Sequence, residues 1–382
     1  MRKITTRGEA LNELVRNNTN VWYMGDEEVL DEYIKAIKDS HNLLMTSAVD
    51  SEAVRRGCVA LHSVINTKAK QVINITDVLI IFNADSMSAD DLGEIYSISE
   101  RTNHFPRVIL VGDILSYMGI GGTSNTSPIE ILEWDLFGFV NIDLRIKRKD
   151  TELESTLESL RLGDISSINW FNSHCKESEK PIKILASSRR AYKYTLDGYI
   201  DSSNCKTIYT GEKKGNICDE ELPTYKDLHV YFGQRIMFIS DDKDGAYKRG
   251  DIGYFYGFEN NSIKVRIDDY IVYIKPVTWH KYTADYVINE RYEEELILRS
   301  EGEFTQLPII PADALSYNAS RGLTFDSIEI SPVTKYSGEL YNLLCRAKSS
   351  DGIKLITDIS VDDVKLNDDM IYWYRHDHSE IA

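Results

Sequence analysis

Cysteine pairs, long apolar runs and excess positive charge are all missing from this 382-residue chain. Its five cysteines are scattered and form no CxxC pair, which argues against a disulfide framework or a zinc site. They are Cys58, Cys175, Cys205, Cys218 and Cys345. No stretch approaches roughly 18 apolar residues, and the opening MRKITTRGEALNEL lacks the apolar core of a signal peptide. We therefore expect a cytoplasmic protein of a reducing compartment, with no membrane partner and no metal site.

The charge balance limits the ways in which the chain can meet nucleic acid. The formal net charge is −17 and the pI is near 5.0, so the surface as a whole repels phosphate backbones. Any contact with nucleic acid must therefore be local. An acidic surface also suits basic protein partners, or it serves solubility alone.

The first 140 residues alternate short apolar runs with amphipathic stretches, a pattern typical of strand and helix units that feed a mostly parallel sheet. The pattern predicts a strand, a helix, a second strand and then two buried strands. These segments are Asn20–Met24, Glu27–Lys38, His41–Ser47, Val78–Phe82 and Arg107–Gly112. The fold class is α/β, and in such sheets the carboxyl ends of the strands carry the ligand loops.

The second half has a different organisation. Residues 150–181 are polar and charged, which marks a domain border, and a new α/β unit starts at Ile182. Residues 233–272 show short alternating strands separated by turn signals, as expected for a small inserted β-barrel. We predict two α/β domains, 1–176 and 177–382, with the insertion at about 240–300.

Several segments resemble, in the correct order, the motifs of superfamily 1B DNA helicases of the RecD-like and Dda-like kind. LLMTSAVDSEAVRRGCVALHSVI is similar to motifs Ia and Ib, VLIIFNADSMSADDL to Walker B, and RVILVGDILSYMGI to motif III. ILASSRRAYKYTLDGY resembles motif IV, ALSYNASRGLTFDSIEI motif V, and LYNLLCRAKSSDGIKLI motif VI. The resemblance implies two RecA-like domains of the P-loop type, with an SH3-like barrel inserted in the second.

The residues that bind and hydrolyse nucleotide in such helicases have no counterparts at the matching positions. The loop at Gly25, Asp26 and Glu27 lacks the glycines, the lysine and the hydroxyl of a P-loop and offers carboxylates instead. Phe82 and Asn83 stand where Walker B has its acidic pair. Asp85 is an alternative, displaced acid. The expectation is a degenerate nucleotide site and a protein that is not an enzyme, with no catalytic residues and no cofactor.

Motifs III and VI are altered less. Asp113 is kept in motif III, whereas Ser116 replaces the glutamine that senses the γ-phosphate. Arg346 is kept in motif VI, and without a P-loop it is expected to form a structural ion pair. The segment between motif Ib and Walker B, about residues 66–77, is too short for the strand-separating domain of a Dda-like helicase.

The resemblance implies a path for single-stranded DNA across the two α/β domains. Residues suited to bind DNA remain along this path. Hydroxyl, amide and guanidinium groups would contact phosphates, and aromatic rings would stack with bases. The candidates are His62, Ser63, Trp279, Tyr286, Ser316, Asn318, Ser320 and Arg321. Two of them have structural alternatives, since Trp279 suits a barrel core and His62 a capping or buried hydrogen-bonded position. The 23 tyrosines and five tryptophans suit either base stacking or protein interfaces.

The leading hypothesis is a catalytically inactive, helicase-like protein that binds single-stranded DNA or recruits a protein partner in replication, recombination or transcription. A bacteriophage is a plausible source, in which case the protein acts in the host cytoplasm. The alternative is a scaffold or inhibitor that uses the fold for protein interaction and binds no DNA. A third reading is an active ATPase with a rearranged site.

Overall fold

A computed structural model describes most of the chain, and it confirms the α/β class. The described residues are 3–25, 27–65, 68–113, 115, 126–145, 147–175, 178–185, 187–259, 262–334, 337–366, 368 and 371–372. Within these ranges there is no helix of the length and apolarity needed to cross a bilayer.

Strands and helices alternate along the first half of the chain, whereas strands predominate between Lys206 and Pro311. The strands are β1 (Lys3–Ile4), β2 (Val21–Gly25), β3 (Leu43–Ser47), β4 (Val59–Ala60), β5 (Val78–Phe82), β6 (Arg107–Val111), β7 (Val140–Leu144), β8 (Ile182–Leu185), β9 (Lys206–Thr210), β10 (Glu212–Gly215), β11 (Asp227–Tyr231), β12 (Arg235–Phe238), β13 (Ile252–Glu259), β14 (Ser262–Ile267), β15 (Tyr270–Ile274), β16 (Val277–Ile288), β17 (Glu294–Gln306), β18 (Ile309–Pro311), β19 (Ala314–Ser316), β20 (Ile328–Ile330) and β21 (Ile353–Leu355). The helices are α1 (Arg7–Arg16), α2 (Glu28–Ile37), α3 (Asp50–Arg56), α4 (Leu61–Ile65), α5 (Ala89–Thr102), α6 (Leu132–Phe137), α7 (Thr151–Arg161), α8 (Ser167–His174), α9 (Ser188–Asp201) and α10 (Glu339–Leu344).

A large sheet, called here the first sheet, organises the amino-terminal half. Its strand order is β1-β7-β2-β6-β5-β3-β4-β16-β17-β10, and the first seven strands in this order are parallel to one another. All residues of β5 and β6 are buried, because helices cover both faces of the sheet. Helices α1 and α2 contribute to one apolar core, and α4, α5 and α6 contribute to the other.

The second half contains a smaller parallel sheet, called the second sheet, with strand order β19-β8-β20-β21. Between β8 and β19 lies a strand-rich region that includes the five-stranded antiparallel sheet β15-β14-β13-β12-β18 and the β9–β11 pair. Its strands extend from Lys206 to Pro311, a longer stretch than the predicted 240–300. The division into domains at residue 176 and the SH3-like character of this region stay predictions.

A long hairpin of β16 and β17 ties the strand-rich region to the first sheet. Tyr282 of β16 pairs with Val59 of β4 in a parallel bridge, and Ala284 is buried in the core beneath α4 and α5. The side chain of Asn42 donates to the carbonyl of Glu294 (3.3 Å) and accepts from the amide of Leu296 (3.4 Å). The hairpin thus extends the first sheet with residues that lie more than 200 positions away along the chain.

Candidate functional site

The carboxyl ends of the two parallel sheets lie against each other, and this junction, called here the cleft, contains several of the candidate residues. Arg321, which follows β19, donates to Asp85 (3.3 Å) and to Ser86 (2.9 Å), which follow β5. Nearby, Arg148 donates to the carbonyls of Ala347 (3.0 Å) and Cys345 (2.5 Å). These contacts connect the two sheets through charged and polar groups.

The acids of the cleft differ in how they are neutralised. Arg161 holds the Asp113 carboxylate with two hydrogen bonds (2.7 and 2.9 Å). Burial raises the pKa of Asp113, but Arg161 and Arg145 together outweigh burial, and the pKa lies below its ordinary value. Burial also raises the pKa of Asp85, and there Arg321 only partly opposes it. Asp85 is therefore the less neutralised carboxylate at this edge.

The Gly25 turn lies where a phosphate loop would stand, at the carboxyl end of β2 and just before α2. Gly25 has a φ of 124°, and a side chain there would collide with the backbone of Leu144 at the end of β7. Glu27 is held by Arg56 in a bidentate pair (2.7 and 2.8 Å). The described part of this turn contains no lysine, and Gly25 is its only glycine, whereas a P-loop holds phosphate with several glycines and a lysine. Asp26 lies outside the described residues.

The Walker B positions are occupied by packing and turn residues. Phe82 is buried beneath the guanidinium of Arg56, which lies 4.2 Å from the ring centroid. Asn83 adopts a left-handed backbone (φ 57°) and accepts a hydrogen bond from Ser47 (2.9 Å). Neither side chain is placed to hold a metal ion. Ser116 lies outside the described residues.

Arg346 is the least compensated cation of the cleft. Its side chain is buried, and no carboxylate lies within ion-pair distance of it among the residues that the structure places. Both Arg346 and Arg321 lie over the ring of Tyr317, at 5.7 and 5.4 Å from its centroid. The hydroxyl of Tyr317 and the Nε atoms of both arginines are buried without a hydrogen-bond partner in the described structure. Among the described residues the structural ion pair expected for Arg346 is not formed, and three buried donors without a partner lie at or over the Tyr317 ring.

Two sets of polar contacts, interrupted at Met87, form a row between the DNA-binding candidates of the two sheets. His62 of α4 lies 3.7 Å from Asp91, which accepts from the Ser88 hydroxyl (2.9 Å). Two residues before Ser88, Ser86 accepts from Arg321, which also donates to Asn318 (3.4 Å). The row therefore joins candidates that are more than 250 residues apart in sequence.

Several candidate hydroxyls are engaged within the protein. Ser63 donates to the carbonyl of Ala60 (2.7 Å), and Ser320 is fully buried and donates to the carbonyl of Tyr317 (2.9 Å). Ser316 is buried and accepts hydrogen bonds from Ser188 (3.2 Å) and from the amide of Ala319 (3.1 Å). Asn318 remains partly exposed. Of the candidate groups in motif V, Asn318 is thus the one best placed to reach a ligand.

The aromatic candidates lie elsewhere. Trp279 is only 7 % exposed and stacks on Phe304 with ring centroids 6.1 Å apart, so neither face is open to a base. This placement matches the core alternative for Trp279. Tyr286 is half-buried on the hairpin, opposite Leu296 of β17. The fold therefore disfavours base stacking by Trp279, whereas base stacking by Tyr286 stays a prediction.

The sequence reasoning missed a cationic group at the start of α9. Ser187 caps this 14-residue helix, and Ser188 reaches the motif V residue Ser316. Arg189, Arg190 and Lys193 are exposed, and no described carboxylate pairs with them. The signal was present in the sequence, since SSRRAYK directly follows a strand and combines a cap, hydroxyls and cations.

Comparisons with known proteins identify the fold. No protein-family model and no curated protein sequence matches the chain. Unliganded Pif1 from Bacteroides sp matches with a TM-score of 0.82 and 19% identity, over 99% of this chain and 97% of that one. The chain has a Pif1-type helicase fold. Pif1 helicase from Candida albicans matches with a TM-score of 0.70 and 16% identity, over 98% and 99% of the two chains. The Bacteroides helicase in complex with ADP-AlF3 and ssDNA gives a TM-score of 0.62 at 19% identity, over 97% and 96%.

These matches correct the expectation of a protein that is not an enzyme. That expectation is wrong, because the solved structures whose fold this chain shares over nearly its full length are helicases. The sequence reasoning weighed each motif position singly. The fold instead brings Asp85, Arg321 and Arg346 together in one cleft, so the polar groups there have to be considered as a set. The helicase fold is confirmed, whereas membership of superfamily 1B and the closer relation to RecD-like and Dda-like helicases stay predictions.

Proposed function

We propose that this chain binds single-stranded DNA at the carboxyl edges of its two parallel sheets and acts in replication, recombination or transcription. Under this proposal it also contacts a protein of that machinery, and its source is a bacteriophage. The strand-rich region is proposed to be an SH3-like insertion in the second of two domains. The observation that carries the proposal is the uncompensated cationic group Arg189, Arg190 and Lys193, beside Ser316 and Asn318.

This group suits a single strand better than a duplex. The −17 charge of the chain repels a rigid duplex, which presents many phosphates at once, whereas a flexible strand can lay a few phosphates along one edge. The amino end of α9 adds backbone amides and the positive end of a helix dipole. The polar row from His62 to Asn318 continues the path toward the first sheet.

The test is a fluorescence anisotropy titration with single-stranded and duplex oligonucleotides at two salt concentrations. Arg190→Glu should weaken binding of every sequence and lower the salt slope by about 1, since it removes a phosphate contact. Arg16→Glu is the matched control, because Arg16 is an exposed arginine on α1 and the change in charge is the same. Equal binding by Arg190→Glu and the wild type, or no binding of single strands at low salt, would refute the proposal.

A second candidate function is binding of a phosphate-bearing ligand, such as a nucleotide, in the cleft. The observation that favours it is the set of unused buried donors on Tyr317, Arg321 and Arg346, together with the lack of a direct ion pair for Arg346 among the described residues. The Gly25 turn lacks the additional glycines and the lysine with which a P-loop holds phosphate. The proposal therefore includes a degenerate P-loop.

Calorimetric titration with inorganic phosphate, ADP and ATP, each with and without magnesium, tests this second function. Binding should be lost in Arg346→Ala and partly kept in Arg346→Lys, while Arg101→Ala, on the surface of α5, should bind as the wild type does. ATP turnover is measured in the same samples with single-stranded DNA, because the solved structures of this fold are helicases. Ligand binding that is insensitive to Arg346→Ala would assign the ligand to another site.

A further inference from the structure

The outer surface of the five-stranded sheet displays a cluster of exposed rings, called here the aromatic face. It consists of Phe232, Tyr254, Tyr256, Ile271 and Tyr273, with Lys264 and Arg266 between them. The exposed fractions of Tyr254 and Tyr256 are 37% and 39%, and Tyr273 reaches 58%. Large rings exposed together on one surface mark a binding site more often than chance packing.

Strand alternation explains why these side chains point outward. Phe255 of β13 and Val265 of β14 pair with each other and point into the core, so their neighbours Tyr254 and Arg266 point to solvent. The register shifts between Phe255 and Gly257, which leaves Tyr256 exposed on the irregular part of β13. The face is therefore a direct product of the pleat and of one bulge.

The cations of the aromatic face are stacked on its rings. The guanidinium of Arg266 lies 5.7 Å from the ring centroid of Tyr254 and 5.5 Å from that of Tyr256. No carboxylate within the described ranges forms an ion pair with Arg266. Lys264 lies 5.9 Å from the centroid of Tyr273 and is paired with Glu259. Arg266 thus offers its charge to a ligand that lies on the rings.

A polar groove of about 510 Å³ adjoins the aromatic face at Tyr254 and Arg266. It also presents the cations Arg235 and Lys348 and the hydroxyls of Thr324 and Ser327. Its acids are Asp251, Asp268 and Asp326. Two of these are engaged, since Asp251 accepts from the amide of Lys248 (2.8 Å) and Asp326 pairs with Lys348 (2.8 Å).

The groove lies away from the cleft. It includes Ile182, the first residue of β8, and Ser327, which precedes β20, so it borders the amino ends of the second sheet. Ser316 and the start of α9 lie at the carboxyl ends of the same sheet. A ligand in the groove therefore cannot be the one held by the motif V residues, unless it is long enough to reach around the sheet.

We propose that the aromatic face and its groove form a second contact for single-stranded DNA, in which bases stack on Tyr254 and Tyr256 and phosphates meet Arg266. This inference rests on the proposed function. Rings interleaved with a stacked arginine suit bases of any sequence, and Arg266, which has no ion-pair partner among the described residues, supplies the cation for a phosphate. An extended peptide would instead favour an apolar groove beside the rings.

The test compares labelled oligonucleotides of about 8 and about 30 nucleotides, a range based on the usual length of single-strand sites. Tyr254→Ala combined with Tyr256→Ala should weaken binding of the long strand by about 5- to 100-fold and leave the short strand unchanged. Tyr254→Phe should bind normally because it keeps the ring. Tyr292→Ala is the matched control, since Tyr292 is 92% exposed at the hairpin tip, away from the face.

Photocrosslinking of a long strand that contains iodouracil provides a direct map. Crosslinks at Tyr254 or Tyr256 that disappear in Arg266→Glu would support the second contact. If the wild type binds the short strand, and binds the long strand with no higher affinity, this inference fails while the proposed function stands. If neither strand binds, the proposed function itself fails. Binding of a proline-rich peptide that is lost in Tyr254→Ala, with DNA binding unchanged, would assign the face to a peptide instead.

Discussion

Trp279 shows at the residue scale how a plausible base-stacking residue can be a core residue. It is buried against Phe304 between the hairpin and the second sheet. We expect Trp279→Ala to lower the free energy of unfolding by about 3–5 kcal/mol, because it opens a cavity. Urea denaturation measures this loss. DNA affinity measured well below the midpoint should not change, and a selective loss of affinity without loss of stability would contradict this placement.

The pair of Arg321 and Asp85 is the second residue-scale case. Both side chains are largely buried, at 11% and 8% exposed, and their atoms approach to 3.3 Å. Arg321→Ala leaves the Asp85 carboxylate buried and uncompensated, so we expect a loss of about 3–5 kcal/mol in unfolding free energy. Asp85→Asn in the same chain should recover part of that loss. A double-mutant cycle with no coupling between the two positions would show that the pair does not connect the sheets.

Helix α3 contains a buried ion pair that should make the free energy of unfolding depend on pH. Glu52 forms a bidentate pair with Arg55 (2.6 and 3.0 Å) near Arg56 and Arg249. Burial raises the pKa of Glu52, but Arg55, Arg249 and Arg56 together lower it from 4.5 to about 2. Because the folded pKa lies below the unfolded one, the stabilisation is complete above about pH 4.5 and is lost as the pH falls toward 2.

The expected size of this effect is about 3 kcal/mol over the full window, since one pKa unit corresponds to about 1.4 kcal/mol. Denaturation measured between pH 3 and pH 6 should show a smaller pH dependence for Glu52→Gln than for the wild type. Glu290→Gln, at the exposed tip of the hairpin, serves as control. Parallel pH profiles for the wild type and Glu52→Gln would rule out this role of the pair.

No local sequence pattern predicted that the β16–β17 hairpin would join the first sheet. Asn42→Ala removes two hydrogen bonds to its backbone, at Glu294 and Leu296. We expect a cost of about 1–2 kcal/mol, confined to the hairpin. Hydrogen exchange at Leu296 should become faster. Thr278→Ala, which removes the 2.8 Å contact with Thr305 at the other end of the hairpin, should leave exchange at Leu296 unchanged.

At the scale of the whole molecule, the −17 charge should govern how DNA binding responds to salt. If about two or three phosphates are neutralised by the cations of α9, the logarithm of the affinity should fall with the logarithm of salt concentration at a slope near −2. Single strands should bind more tightly than duplex at each concentration. A slope steeper than about −5 would require many more phosphate contacts than the described cations supply.

The sequence by itself determined the α/β class, the order of the early strands and the helicase-type fold. Each of these follows from local periodicity and from motif order, and the apolar runs Val78–Phe82 and Arg107–Val111 are indeed buried strands. The cationic start of α9 was equally local and was overlooked. The expectation of a protein that is not an enzyme was wrong, because it was drawn from single motif residues, whereas the solved structures with this fold are helicases.

Only the tertiary structure decided which side chains meet. The contact between Arg321 and Asp85 joins residues 236 positions apart, and nothing in either segment specifies it. Trp279 is buried, and Tyr254 and Tyr256 are exposed, because of how strands pair and which face of each sheet is covered. Periodicity predicts that a strand has two faces, whereas the packing of distant elements decides which face meets solvent.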